Sequence, residues 1–221
     1  MPIKVIVSYD GTENDKDALA LGQVLASAGA TLSLAYVIHT PDQDPAEAEK
    51  LLADGAALLG QPDVPQHVVT HRSTGRGLRN LAIEQEADVI VFGSEYRTAR
   101  AHVDPQASAR RLIDGGPVAV ALAPAGFAEE SKHTVETIVA ITEDGDTAAA
   151  ETAETLAARF GAAVARHPNR DAADLLVVAS KQGVGPGRVT ISAAAEYVIE
   201  LATCPVLVLP RGVAIAFDGA R

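Results

Sequence analysis

The sequence predicts an α/β fold made of two tandem, doubly wound parallel-sheet units, the second truncated. Three observations predict it. Short runs rich in Val and Ile alternate with helical stretches of about 10–15 residues through the first half. Two segments recur at a kept spacing. ADVIVFGS at Ala87–Ser94 returns as ADLLVVAS at Ala173–Ser180, and PVAVALAPAG from Pro117 returns as PVLVLPRG from Pro205, 30 and 32 residues after the first segment. VIVSYDGTE near the start is matched by VAITEDGDT around Asp144, but with much less chain behind it.

Ile3 to Ser8 reads as the opening strand, ended by the Asp10–Gly11 turn. Thr12, with Asp15 three residues on, opens a helix that Gly29 stops. Thr31–Ile38 predicts a second strand, Pro45–Leu59 a helix, Gln66–Thr70 a third strand and Gly75–Glu86 a helix. Val89–Phe92, Pro105–Asp114 and Val118–Leu122 complete the unit as strand, helix and strand. Strands apolar on both faces, with helices between them, belong in a parallel sheet covered on both sides, and right-handed crossovers restrict it to a doubly wound sheet. The first unit is expected over residues 1–126 and the second over 134–214, with the polar stretch Phe127–His133 as the boundary. Asp10 to Ala87 is 77 positions and Asp144 to Ala173 only 29, a loss of about 48 residues from the second copy. After a helix from about Thr147 to Phe160 there is room for one short strand, Ala162–Ala165. This predicts a sheet of three or four strands with a thin core that leans on the first unit.

Composition narrows the function classes. A net charge of −11 argues against nucleic acid, which needs clustered Lys and Arg; the basic clusters are His71–Arg72 and Arg97 to Arg111. No apolar run approaches the ~18 residues of a membrane span. A single cysteine rules out an intrachain disulfide, and with no leader-like start the expectation is a cytoplasmic protein. Cys204, before the strand at Pro205, reads as a core residue, and the six histidines show no metal-ligand spacing. No Gly-x-Ser-x-Gly elbow is present, so no catalytic residue is assigned and the chain is not expected to be an enzyme.

An opening strand ending in VSYDGTE, a later strand ending VFGS, a helix and a closing PVAVALAP strand resemble the universal stress protein family. The duplication, the Val103-Asp104-Pro105 spacer and the APAGFA tail are similar to its actinobacterial tandem members. The resemblance implies a Rossmann-like strand order of 3-2-1-4-5. It also implies that the chain's main partner is itself: closing-strand edges meet, as a pseudo-dimer within the chain and as homodimer contacts.

Members of that family that bind ATP carry Gly-x-x-Gly, nine residues, then Gly-Ser/Thr, where bare backbone can approach phosphates. Here the positions hold Gly93, Tyr96, Gln106 and Ala107 in the first unit, and Ala179, Gln182, Ser192 and Ala193 in the second. Side chains at Tyr96 and Gln106 are expected to obstruct a triphosphate, so the motif reads as degenerate and no cofactor is expected, with ATP or AMP the candidate occupants. The nucleotide positions that remain are Asp10, Val37, Gly93 and Ser94; Asp10 and Val37 match the family's acidic and adenine-side positions at the carboxyl edge. Asp10–Gly11 is equally a strand-ending turn. His71, Arg97 and Arg100 are the charges available to an altered anion site, and Gly183 to Gly187, without the Lys and Ser/Thr of a phosphate loop, reads as a linker. The leading reading is a binding or scaffold module of the stress response; the alternative is an adenine-nucleotide-binding regulator with slow ATPase activity. A third is a structural partner whose closing strands pair with another chain.

Overall fold

β-Branched runs give short strands, buried on both faces in the middle of the sheet and only partly buried at its edges, and the chain lays them side by side. The computed structural model describes residues 2–40, 42–130, 133–165 and 173–217. The first unit runs β1 (Lys4–Ser8), α1 (Glu13–Ser27), β2 (Thr31–Ile38), α2 (Pro45–Leu58), β3 (Gln66–Thr70), α3 (Thr74–Gln85), β4 (Val89–Phe92), α4 (Ala107–Ile113) and β5 (Ala119–Leu122). The second runs β6 (Thr137–Ile141), α5 (Ala148–Phe160), β7 (Ala163–Ala165), β8 (Leu175–Val178), α6 (Ala193–Glu200) and β9 (Val206–Val208).

All nine strands form one sheet in the order β3-β2-β1-β4-β5-β9-β8-β6-β7. The first five follow the order the resemblance implies. Among the described residues the second unit has four strands, ordered as the first would be without its third. Neighbours are parallel except at the junction, where β5 and β9 run antiparallel with Val120 opposite Val208 and Leu122 opposite Val206.

Alternation along each strand divides the side chains between two cores. Val5, Val7, Val89, Val91, Ala119, Ala121 and Leu207 face one side with α1, α2 and α5. Ile6, Ile90, Phe92, Val120, Leu122, Val206 and Val208 face the other with α3, α4 and α6. Each core takes residues from both units, so the thin second sheet shares its apolar burial with the first.

Three local expectations change. The fourth helix starts at Ala107, not Pro105, because Pro105 pairs as an isolated bridge with Ser94. Phe127 does not open a polar boundary: its ring is buried, and Phe127–Glu129 is a 3-10 turn packed on α1. The buried carboxylate of Asp17 fixes that turn by accepting from the N–H groups of Gly126 (2.9 Å) and Ala128 (2.7 Å). Ser131 and Lys132 of the expected boundary, and His167, lie outside the described residues. Finally, the sequence reading names no element between the repeated segments of the second unit, and α6 forms there, started by the Ser192 hydroxyl accepting from the Ala195 N–H at 3.2 Å.

Candidate functional site

Parallel order brings the carboxyl ends of β1, β2 and β4 together, where a doubly wound sheet holds ligands. Asp10, just past β1, is exposed. Its N–H donates to Asp15 Oδ2 at 2.7 Å, its own Oδ1 accepts from the Thr12 N–H at 3.3 Å, and the same Thr12 N–H reaches Asp15 Oδ2 at 3.1 Å. Asp15 is 4% exposed. Burial pushes its carboxyl up to about 8, followed by its side-chain hydrogen bond and charge repulsion with Asp10, and the two N–H bonds pull the other way. The raised Asp15 carboxyl favours its protonated form at neutral pH, and Asp10 is held in the turn that starts α1.

Gly93 sits where α1 meets β4. A Cβ placed on it would lie 2.0 Å from the backbone oxygen of Asn14, so only glycine fits beside that turn. The Asn14 side-chain amide donates to the Ser94 oxygen at 2.7 Å, which ties the same two segments together. Ser94 is fully buried. Its hydroxyl donates to the Ala123 oxygen at 2.7 Å and accepts from the Asp104 N–H at 3.3 Å, closing the loop between β4 and α4 as a clasp. The Glu95 N–H donates to the Asp104 oxygen at 2.9 Å in the same clasp.

The second unit repeats the device. The buried Ser180 donates to the Leu209 oxygen at 2.7 Å and accepts from the Thr190 N–H at 3.0 Å, while the Lys181 N–H meets the Thr190 oxygen at 2.7 Å. Sequence separations within the two clasps are the same, 29 and 10 residues. Gly183 and Gly187 lie in this loop with positive φ and no atom near a would-be Cβ, as a linker would have them.

Tyr96 and Gln106 divide the role expected of them. Gln106 does turn inward: its amide lies 3.4 Å from the Ser94 oxygen. Tyr96 does not fill the cleft. It is 68% exposed, with the Arg97 guanidinium stacked 4.9 Å over its ring. Arg100 is held by Glu129 at 2.6 Å, so neither arginine points to an anion site beside Gly93. Cys204 is buried, and burial, then the charge of Asp174, pushes its thiol up to about 12, the behaviour of an inert core residue.

Val37 lies buried near the end of β2, its methyl groups within 3.3 Å of where a Cβ on Gly77 would stand, under the first turn of α3. Above that turn is a cavity of about 600 Å³ lined by His39, Thr70, His71, Arg72, Ser73, Arg76 and Arg111. Neither Asp10, Gly93 nor Ser94 reaches it. The structure thus gathers Asp10, Gly93 and Ser94 around the start of α1 and sets Val37 apart, beneath a basic pocket. Of that pocket only His71 stands among the residues singled out as an anion partner from the sequence; Arg76 and Arg111 were missed because α3 and α4 bring them together across 35 positions.

A family model described as the universal stress protein family matches residues 1–124. Universal stress proteins of Mycobacterium tuberculosis and Mycobacterium bovis are each 40% identical over 73 residues, 33% of this chain and 23% of theirs. The match thus spans about a quarter of the length of those relatives. Among solved structures, a universal stress protein from Archaeoglobus fulgidus aligns with a TM-score of 0.68 at 14% identity, over 95% of this chain and 98% of its own. A putative universal stress protein from Pseudomonas aeruginosa aligns at 0.69 and 15%, over 95% and 93%. At those identities the likeness is one of fold.

Proposed function

The chain belongs to the universal stress protein family, and from that premise we propose that it acts as a non-enzymatic binding or scaffold module of the stress response in which the family's ATP-binding motif is degenerate. One observation carries the reading: the motif's surviving glycine, Gly93, is pressed against the Asn14 backbone with 2.0 Å for a Cβ. A loop that must wrap a polyphosphate needs free N–H groups facing outward. Here the neighbouring hydroxyl, Ser94, is fully buried in a clasp, and Gln106 lies against the Ser94 oxygen. The pairing of β5 with β9 supports the part of the reading in which the two copies act as a pseudo-dimer within one chain.

Isothermal titration with ATP and with AMP, with and without magnesium, tests it. The expected result is no tight magnesium-dependent ATP binding and no hydrolysis; nanomolar to low-micromolar ATP binding that requires magnesium would refute it.

A further inference from the structure

The pocket at the far side of the carboxyl edge has no assigned role. Its walls come from three places: His39 after β2, Thr70 at the end of β3 and His71 to Ser73 after it with Arg76 in the first turn of α3, and Arg111 on α4. Gly75 allows the helices to close on each other here. A Cβ on it would lie 2.8 Å from the Ser108 oxygen and 3.5 Å from the Arg111 Cβ, which sets Arg111 beside the start of α3.

The charge at this pocket is one-sided. Arg72, Arg76 and Arg111 line it, and no carboxylate does. The chain carries 29 acidic against 18 basic side chains, so neutralising partners are abundant. Even so, among the described residues these three arginines have no ion pair and no side-chain hydrogen bond, whereas Lys4, Lys16, Arg100, Arg110 and Arg211 are each paired. All three are exposed, so solvent screens their mutual repulsion and their guanidinium groups stay open to an anion placed between them.

The remaining groups suit the same guest. The His39 ring is fixed between the His71 oxygen (3.2 Å) and the Thr74 hydroxyl (3.2 Å), so the wall is held in place without occupying the cavity. Ser73, at the N-cap of α3, makes no side-chain cap. A volume of about 600 Å³ is in the range of small-molecule pockets.

The geometry points to a binding site for a small phosphomonoester, its phosphate held by Arg72, Arg76 and Arg111. The forked guanidinium groups match phosphate oxygens two at a time. The site is separate from the closed loop at Gly93 and needs neither its glycines nor magnesium.

Isothermal titration of the full chain with inorganic phosphate, ribose 5-phosphate, AMP and adenosine tests it. The three phosphates are expected to bind without magnesium and adenosine is not. Arg76→Ala with Arg111→Ala should weaken phosphate binding at least about tenfold, as loss of charged hydrogen bonds would. Both side chains are exposed, so the circular dichroism melt should not move. Arg97→Ala, on the surface stacked against Tyr96, should leave binding unchanged. AMP binding well above ribose 5-phosphate would identify a nucleotide as the guest; equal binding would identify a sugar phosphate. Failure of all three phosphates to bind at millimolar concentration, or equal loss in Arg97→Ala, overturns the proposal. ATP binding that needs magnesium and survives the double substitution would instead refute the reading of the Gly93 loop.

Discussion

Replacing Asp15 by Asn tests the electrostatics at the head of α1. The carboxyl is 4% exposed, and burial together with Asp10 raises it to about 8, against about 3.9 for a free aspartate. The sign follows from proton counting. Between those two values the folded chain keeps the Asp15 proton and the unfolded chain has released it, so stability from this group falls as pH rises and is fully present only below about 4. At about 1.4 kcal/mol per pH unit, the loss from pH 5 to pH 8 is on the order of 4 kcal/mol. Asparagine keeps an oxygen for the Asp10 and Thr12 N–H groups, now at 2.7 and 3.1 Å, and offers its amide to the Asp10 carboxylate. Asp15→Asn should therefore match the wild type below about pH 4, exceed it by about 1.5 kcal/mol at pH 5 and exceed it by several kcal/mol at pH 8. Urea unfolding followed by circular dichroism at several pH values from 5 to 9 measures both curves. Asp17, also raised by burial, contributes to both proteins alike, so the difference isolates Asp15. Parallel curves, or a variant weaker than wild type at pH 8, would show that Asp15 is ionised in the folded chain.

The remaining predictions concern the clasps. Gly93→Ala puts a methyl group 2.0 Å from the Asn14 backbone oxygen and should cost about 3 kcal/mol or prevent folding, read from urea midpoints; a loss below about 1 kcal/mol would show that α1 can move away. Ser94→Ala removes the donor to the Ala123 oxygen and the acceptor for the Asp104 N–H, and Ser180→Ala does the same to the Leu209 oxygen and the Thr190 N–H. Each should lose about 1–3 kcal/mol. Similar losses support equivalent roles in the two copies, whereas a large loss at one serine and none at the other would contradict them.

What the sequence disclosed follows from what local pattern can encode. The β-branched runs of β1, β2, β4 and β5 announce buried strands because a parallel sheet is apolar on both faces. The repeat of ADVIVFGS as ADLLVVAS disclosed the duplication, and the shorter chain behind Asp144 its truncation. Contacts between distant segments stayed hidden. A glycine at 93 is visible in the sequence, but the Asn14 carbonyl that demands it lies 79 positions earlier. Ser94 reads equally as a phosphate ligand or a structural hydroxyl until Ala123 and Asp104 are seen around it. Phe127 stands just ahead of the polar run that begins at Glu129, and only its contact with α1 marks it as core.

The truncation and the basic pocket bear on each other. The described part of the second unit holds four strands and two helices, with β7 at its outer edge. What it lacks, relative to the first, are counterparts of α2, β3 and α3. The last two carry Thr70 to Ser73 and Arg76, most of the wall of the phosphate pocket. A doubled framework therefore carries the pocket once, at the end of the sheet farthest from the second unit. The elements the second unit keeps are the ones it needs to pair through β9 and to feed both shared cores. Both cores take residues from the two units, so the second unit's apolar burial is shared with the first. The antiparallel join at β5 and β9 carries the sheet of the first unit on into the second, and the proposed phosphate site lies wholly in the unit that kept its full length.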